Sequence, residues 1–109
     1  MRIDFNRMDE RTVPGMNGGT GTMSAKMHIG PSGKVIVTRI HPGGSIGVHA
    51  HPTSDDVNYV VSGTGRAVCD GEEEELSAGV CHVCRQGSEH GIVNTGEDDL
   101  VLVTVVVER

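Results

Sequence analysis

Tight-turn residues interrupt this chain so often that only short elements fit between them, and the segments left over are rich in β-branched residues. From Ser24 onward, Ser32-Gly33 separates a run at 25–29 from one at 35–40, and Pro42-Gly43-Gly44 ends the second. Asp70-Gly71, a strong two-residue hairpin signal, divides 66–69 from 72–76. Ser77-Ala78-Gly79 leads into 80–84, and Asn94-Thr95-Gly96-Glu97 precedes 100–107. Gly is frequent, at 16 of 109 residues, and Val recurs in runs. That mixture favours strands over helices. Eight or nine short strands with turns between them indicate an all-β sandwich or barrel.

The length suits one domain, with no internal repeat and no interdomain linker. Residues 1–22 read as an N-terminal arm and 23–109 as the barrel domain. Pro14-Gly15 and Asn17-Gly18-Gly19-Thr20-Gly21 are breakers that no regular element absorbs. Such an arm is either a flexible leader or a segment that pairs with the sheet of a second subunit.

The formal charge is −6 and the nine Lys and Arg residues are scattered. Counterion release from a nucleic acid needs clustered cations, so no nucleic-acid partner is expected. No apolar run approaches the roughly 18 residues that span a bilayer, so no membrane partner is expected either. Met1-Arg2-Ile3-Asp4-Phe5 lacks the apolar centre of a signal peptide, which makes the cytoplasm the expected compartment.

Cys69, Cys81 and Cys84 are too few, and odd in number, for a disulfide framework. Cys81 and Cys84 form a C-x-x-C, but strand positions three apart face opposite ways and do not share a metal. Reduced, packed thiols are expected. The run Glu72-Glu73-Glu74-Glu75 follows a tight turn, where alternate carboxylates diverge, and reads as a solvated hairpin edge. The last run, 100–107, is apolar without alternation. A strand with one wet face should alternate, so both faces of this one should be covered. In a chain this small a second copy is the expected cover, which predicts a homodimer.

The chemistry concentrates in His49-Ala50-His51. In a strand, residues two apart share a face, so both imidazoles can reach one ion. Asp56 follows at the head of the apolar stretch 57–61, and His90 lies far along the chain after Gly87. Three imidazoles and one carboxylate make a mixed N/O site with room for further ligands. Such a set suits one divalent Fe, Mn, Ni, Zn or Cu ion and does not choose among them.

Gly43, five residues, His49-Ala50-His51, four residues, Asp56, six residues and Gly63 resemble the first motif of the cupin family. Gly79, Gly87, His90 and Asn94 resemble the second, at its spacing. Together they cover 43–94, about half of the chain. The resemblance implies a jelly-roll barrel, a double-stranded β-helix, with a metal held inside by His49, His51, Asp56 and His90. Two positions depart from the pattern. The family usually has Glu where Asp56 stands, and Asp is shorter by about 1.5 Å. It usually has Pro where Arg85 stands, and Arg85 reads as a solvated loop residue. His28, His41 and His82 match no ligand position and are expected at the surface or behind the ligands.

Strand parity extends the site. If Asp56 faces inward, so does Asn58, a candidate substrate contact. By the same resemblance Ala67 and Cys69 point inward, and the cavity should be lined by small groups. With one Phe, one Tyr and no Trp, ring stacking is poorly supported. A small polar or anionic ligand that chelates the metal fits better. The expected function is a metal-dependent enzyme on such a metabolite, with oxygenase, isomerase and decarboxylase chemistry all open. The alternative is a non-catalytic binding or sensing module, since no general base is apparent beyond the metal ligands.

Overall fold

The computed structural model describes residues 1–109 and contains ten strands and two short 3₁₀ turns, Phe5–Arg7 and Met16–Gly18. In chain order the strands are β1 Arg11–Pro14, β2 Thr22–Gly30, β3 Gly33–Ile40, β4 Ser45–Ala50 and β5 Ser54–Ser62. β6 Thr64–Cys69, β7 Glu72–Ser77, β8 Cys81–Cys84, β9 Glu89–Asn94 and β10 Leu100–Glu108 complete the set. Two antiparallel sheets form: β1-β2-β3-β10-β5-β8 with six strands, and β4-β9-β6-β7 with four. They face one another as a jelly-roll barrel. No helix is long and apolar enough to cross a membrane.

The turns fall where their residues require. Asp70 and Gly71 both take positive φ, +49° and +82°, the backbone of the tight hairpin joining β6 to β7. Asp70 then accepts a bond from the Glu89 amide at 3.0 Å, which ties that hairpin to β9. Asn94 closes the far end of β9. Its amide donates to the Ile40 and Asp98 carbonyls at 2.8 Å, and its carbonyl accepts from the Gly96 amide.

Register explains why the barrel is solid at one end and hollow at the other. Inner-face residues of β3, β10 and β5 line up in rows across the sheet. The row Ile40–Leu100 and the row Thr38–Leu102–Val60 belong to the packed end. There Met23, Ala67, Leu76 and Ile92 join Ile40, Val60, Leu100 and Leu102 in one buried cluster. The next row, Ile36–Thr104–Asn58–His82, is half polar, and Lys34–Val106–Asp56–Cys84 carries charge. A gradient from aliphatic to ionisable residues along three neighbouring strands thus places the site at the hollow end.

β10 does alternate in burial, although its sequence does not. Leu100, Leu102 and Thr104 face inward and are buried, while Val105 on the outer face is exposed. Covering of both faces, expected from sequence, is supplied by the chain itself on the inner side only. The N-terminal residues lie along their own barrel: β1 pairs with β2, from Arg11 opposite Ala25 to Pro14 opposite Thr22. A polar chain holds them there. Thr12 Oγ1 meets Ser24 Oγ at 2.9 Å, and Ser24 Oγ meets His41 Nε2 at 2.7 Å. His41 Nδ1 meets Asp99 Oδ1 at 2.9 Å, and Arg39 bridges Asp99 and Glu10. The pairing of β1 brings the count to ten, above the eight or nine expected.

Candidate metal centre

His49 and His90 are direct register partners on β4 and β9. A register shift between Ile46 and His49 marks an irregularity in β4, and His51 lies just past that strand's end. The three rings nevertheless converge. Their centroids are 4.8–4.9 Å apart with planes inclined at 59–72°, so they face a common point edge-on instead of stacking. The potential donor nitrogens all lie within 4.8 Å of one another. Asp56 approaches from the opposite sheet, on β5, with Oδ2 3.1 Å from His90 Nε2 and 3.7 Å from His51 Nε2.

These spacings fit one ion. Donors about 2.1 Å from a metal, subtending about 90–109°, stand ~3.0–3.4 Å apart. His51 Nε2 and His90 Nε2 are 3.1 Å apart, close to that separation. Asp56 lies within 4 Å of these two imidazoles and forms no such pair with His49.

Hydrogen bonds from the far side of each ring reinforce the fit. With its proton on Nδ1, His49 donates to the Gly47 carbonyl at 2.7 Å, which leaves the Nε2 lone pair for a ligand role. His90 Nδ1 meets His82 Nε2 at 2.9 Å, and His82 Nδ1 meets Glu74 Oε1 at 2.9 Å. Glu74 is a carboxylate and only accepts, so a neutral His82 donates from Nδ1 and accepts at Nε2, and His90 then donates from Nδ1. The chain of bonds thereby frees His90 Nε2 as well. His82 is 1% exposed, and its ring stacks at 5.1 Å from that of His90.

Burial would raise the Asp56 carboxyl, but contact with His90, the bond from Asn58 and the nearby imidazoles hold it below the ordinary carboxylate range. For His51 the order is reversed. Burial lowers its pKa more than Asp56 raises it, with His90, His49 and Lys34 adding to the depression. An ionised carboxylate beside an unprotonated His51 is a protonation state that suits a divalent cation.

Asn58, the expected substrate contact, lines the cavity and is 2% exposed. Its amide donates to Asp56 Oδ2 at 3.0 Å, and its carbonyl accepts from Thr104 Oγ1 at 2.7 Å. Those bonds orient the carboxylate. Cys84 is buried and Cys81 exposed, on opposite faces of β8, and burial pushes the Cys84 thiol up to about 12.

The cavity in front of the histidines measures about 720 Å³. Small groups were expected on its walls; methionine and isoleucine side chains stand there instead, including Met16, Met23, Met27, Ile36, Ile46 and Ile92. Sequence reasoning also passed over three functional groups. His82, expected at the surface or behind the ligands, is buried on the inner face of β8 between Glu74 and His90. Glu74 sits half-exposed on β7 where the two sheets meet, not simply solvated. Lys34 lines the cavity from the inner face of β3.

Ser24, His41 and Asp99 stand in the order of a hydrolytic triad, but they serve structure. Ser24 is 2% exposed, its hydroxyl is shared with Thr12, and neither cavity is lined by it. A nucleophile needs a substrate in front of it.

The His82 bond has a measurable consequence. His82→Ala is expected to weaken metal binding about 10–100-fold, the usual cost of losing a ligand's supporting partner. His82→Gln, whose amide oxygen can accept from His90, should recover part of the loss. Competition against a chelator measures both. The copper(II) resonance spectrum should shift in His82→Ala if the ring has lost its orientation. Wild-type affinity and spectrum in that variant would leave His82 a packing residue.

Comparison with known proteins now decides the family. A cupin domain matches residues 36–106, well over half of the chain. The chain belongs to the cupin family. It is 30% identical over 69 residues to an oxalate-binding protein of Thermotoga maritima, a match covering 63% of this chain and 57% of that protein. Among solved structures, a predicted oxalate decarboxylase of the same organism superposes with a TM-score of 0.94 at 23% identity, covering 100% of both chains. A conserved protein with a double-stranded β-helix domain from Klebsiella pneumoniae gives 0.70 at 30% identity, over 74% of this cupin and 71% of the other chain.

Proposed function

We propose that this cupin binds one divalent transition metal through His49, His51, His90 and Asp56 and acts as a metal-dependent enzyme on an anionic metabolite. The observation that carries the proposal is the convergence of the three imidazoles, two of them with Nε2 freed by bonds behind the ring, at the wall of an open cavity, with Asp56 beside His51 and His90. The ion would act as a Lewis acid toward a bound oxygen atom. His49, His51, Asp56 and His90 would hold it, and the cavity in front of the histidines would admit the ligand. The oxalate-binding relative supports a carboxylate ligand at such a site.

Elemental analysis after mild purification, or after reconstitution, should find about one transition metal per chain. Failure to retain any divalent metal at micromolar concentration would overturn the proposal. The second reading, a binding or sensing module without turnover, is favoured by the walls, which offer few proton-transfer groups beyond the proposed ligands, Asp9 and Lys34. Saturable binding of a carboxylate without product separates it from the enzyme.

The proposal includes a second copy of the chain and a cytoplasmic setting. On the outer face of the six-stranded sheet, Tyr59, Val61, Val83 and Val105 are all exposed. Ion pairs bound this patch, Asp55–Arg109 at one end and Arg39–Asp99 at the other. A two-fold dimer buries one such patch against its own copy. Three thiols without a disulfide framework suit a reducing compartment.

A further inference from the structure

Lys34 is a cation on the barrel's inner wall that no carboxylate of the chain neutralises. Neither it nor Arg11, the other cation lining the cavity, takes part in the ion pairs, which use Arg2, Arg39, Arg66, Arg109 and histidines; of the two, only Lys34 shares a row with Asp56. Its register partner is Val106, and Val106 pairs with Asp56, so Lys34 and Asp56 lie in one row two strands apart. Strands are spaced about 4.7–4.9 Å, which puts the two Cα atoms ~10 Å from each other. A lysine side chain covers about 6 Å of that span. The ammonium group therefore has the reach to stand near the imidazoles without touching them, at the distance of one small bridging group.

The remaining walls call for a different chemistry. Met27 from β2, Ile36 from β3, Ile46 from β4 and Met16 from the N-terminal arm present apolar surface to the same space. Met23 and Ile92 form its floor at the packed end, while Asp9, Arg11 and Asn17 add polar groups from the arm. Methionine adapts its shape to varied apolar guests. A cavity of about 720 Å³ lies in the range that encloses ligands of drug size. Oxalate, with six non-hydrogen atoms and no apolar part, would leave most of those walls against water.

We propose that the ligand is an organic acid with an apolar body of several carbons, its acid group held by Lys34 and its body lying along the methionine and isoleucine walls. The proposal rests on the site reading above in one respect: the oxygen-bearing end faces the histidines. Neither the lysine nor the walls depend on an ion.

The probe is a series of straight-chain 2-oxo acids from pyruvate to 2-oxooctanoate, with oxalate as the reference, titrated calorimetrically into the full chain after its metal content has been measured. Affinity should rise about fourfold per added methylene, the fold-change equivalent to the 0.8 kcal/mol of a buried CH₂. 2-Oxooctanoate should then bind far more tightly than oxalate. Lys34→Gln should weaken every member about tenfold, the effect of one charge-assisted hydrogen bond. It should leave both the slope and the metal content unchanged, and Lys34→Arg should retain most of the affinity. A flat series, oxalate binding as tightly as the longest acid, or an unchanged Lys34→Gln overturns the proposal. An absent metal overturns the site reading instead, and the slope and the Lys34 effect are then read on the metal-free protein.

Discussion

His90→Ala is expected to lose its metal and part of its stability together, whereas His51→Ala loses the metal alone. Both remove an Nε2 donor from the converging group. His90 in addition satisfies the buried His82, and an unpaired buried polar group costs about 1–3 kcal/mol. Either loss should exceed the roughly 10–100-fold expected for His82→Ala, because a donor is removed and not merely disoriented. Asp56→Ala should weaken binding less than His51→Ala, since Asp56 lies beside only two of the three imidazoles. Asp56→Glu adds the methylene that separates this chain from the usual family pattern and should hold the metal at least as well. Titrating one chelator against all of these proteins ranks them. Wild-type affinity in Asp56→Ala would reduce the site to three histidines, with the carboxylate an orienting group. Wild-type affinity in both His51→Ala and His90→Ala would remove the site altogether.

The barrel was legible in the sequence because its turns depend on local backbone chemistry. Asp70-Gly71 forms the hairpin its residues require, and the motif glycines Gly43, Gly63, Gly79 and Gly87 all take positive φ. The histidine cluster was legible for a related reason. His49 and His51 are two positions apart, and the motif spacing supplies His90. What escaped depends on closure between distant strands. Lys34 reads as an ordinary solvated lysine until β10 is laid between β3 and β5, which puts it in the row of Asp56. Glu74 reads as one of four edge carboxylates until β7 and β8 meet where the sheets join, which gives it a buried imidazole. The methionines of β2 looked like scattered apolar residues because nothing local marks the hollow end. Parity assigned the inner faces well. It could not say which inner faces would be filled by neighbours and which would be left to a ligand.

A charge placed at Val103 should turn the proposed dimer into a monomer. Val103 lies at the centre of the outer face of β10, opposite Tyr59 on β5 and Val37 on β3. In an isolated chain this position is only half-buried, so Val103→Glu leaves the barrel itself intact. In a two-fold dimer the substitution enters the interface twice, near its own symmetry mate. One unpaired charge in a buried interface costs about 3–5 kcal/mol, so association should weaken by at least about a hundredfold. Val48→Glu is the control. Val48 is 58% exposed on β4, in the other sheet, and should leave the stoichiometry unchanged. Light scattering at several concentrations reads the outcome, and a wild-type monomer at tens of micromolar would refute the dimer. A second readout comes from Cys81, which is exposed in the single chain and is the register partner of Tyr59. Dimerisation through this face shields the thiol, so alkylation of Cys81 should be slow in the wild type and fast in Val103→Glu. Equal rates in the two proteins would place the second copy elsewhere, even if the wild type scatters as a dimer.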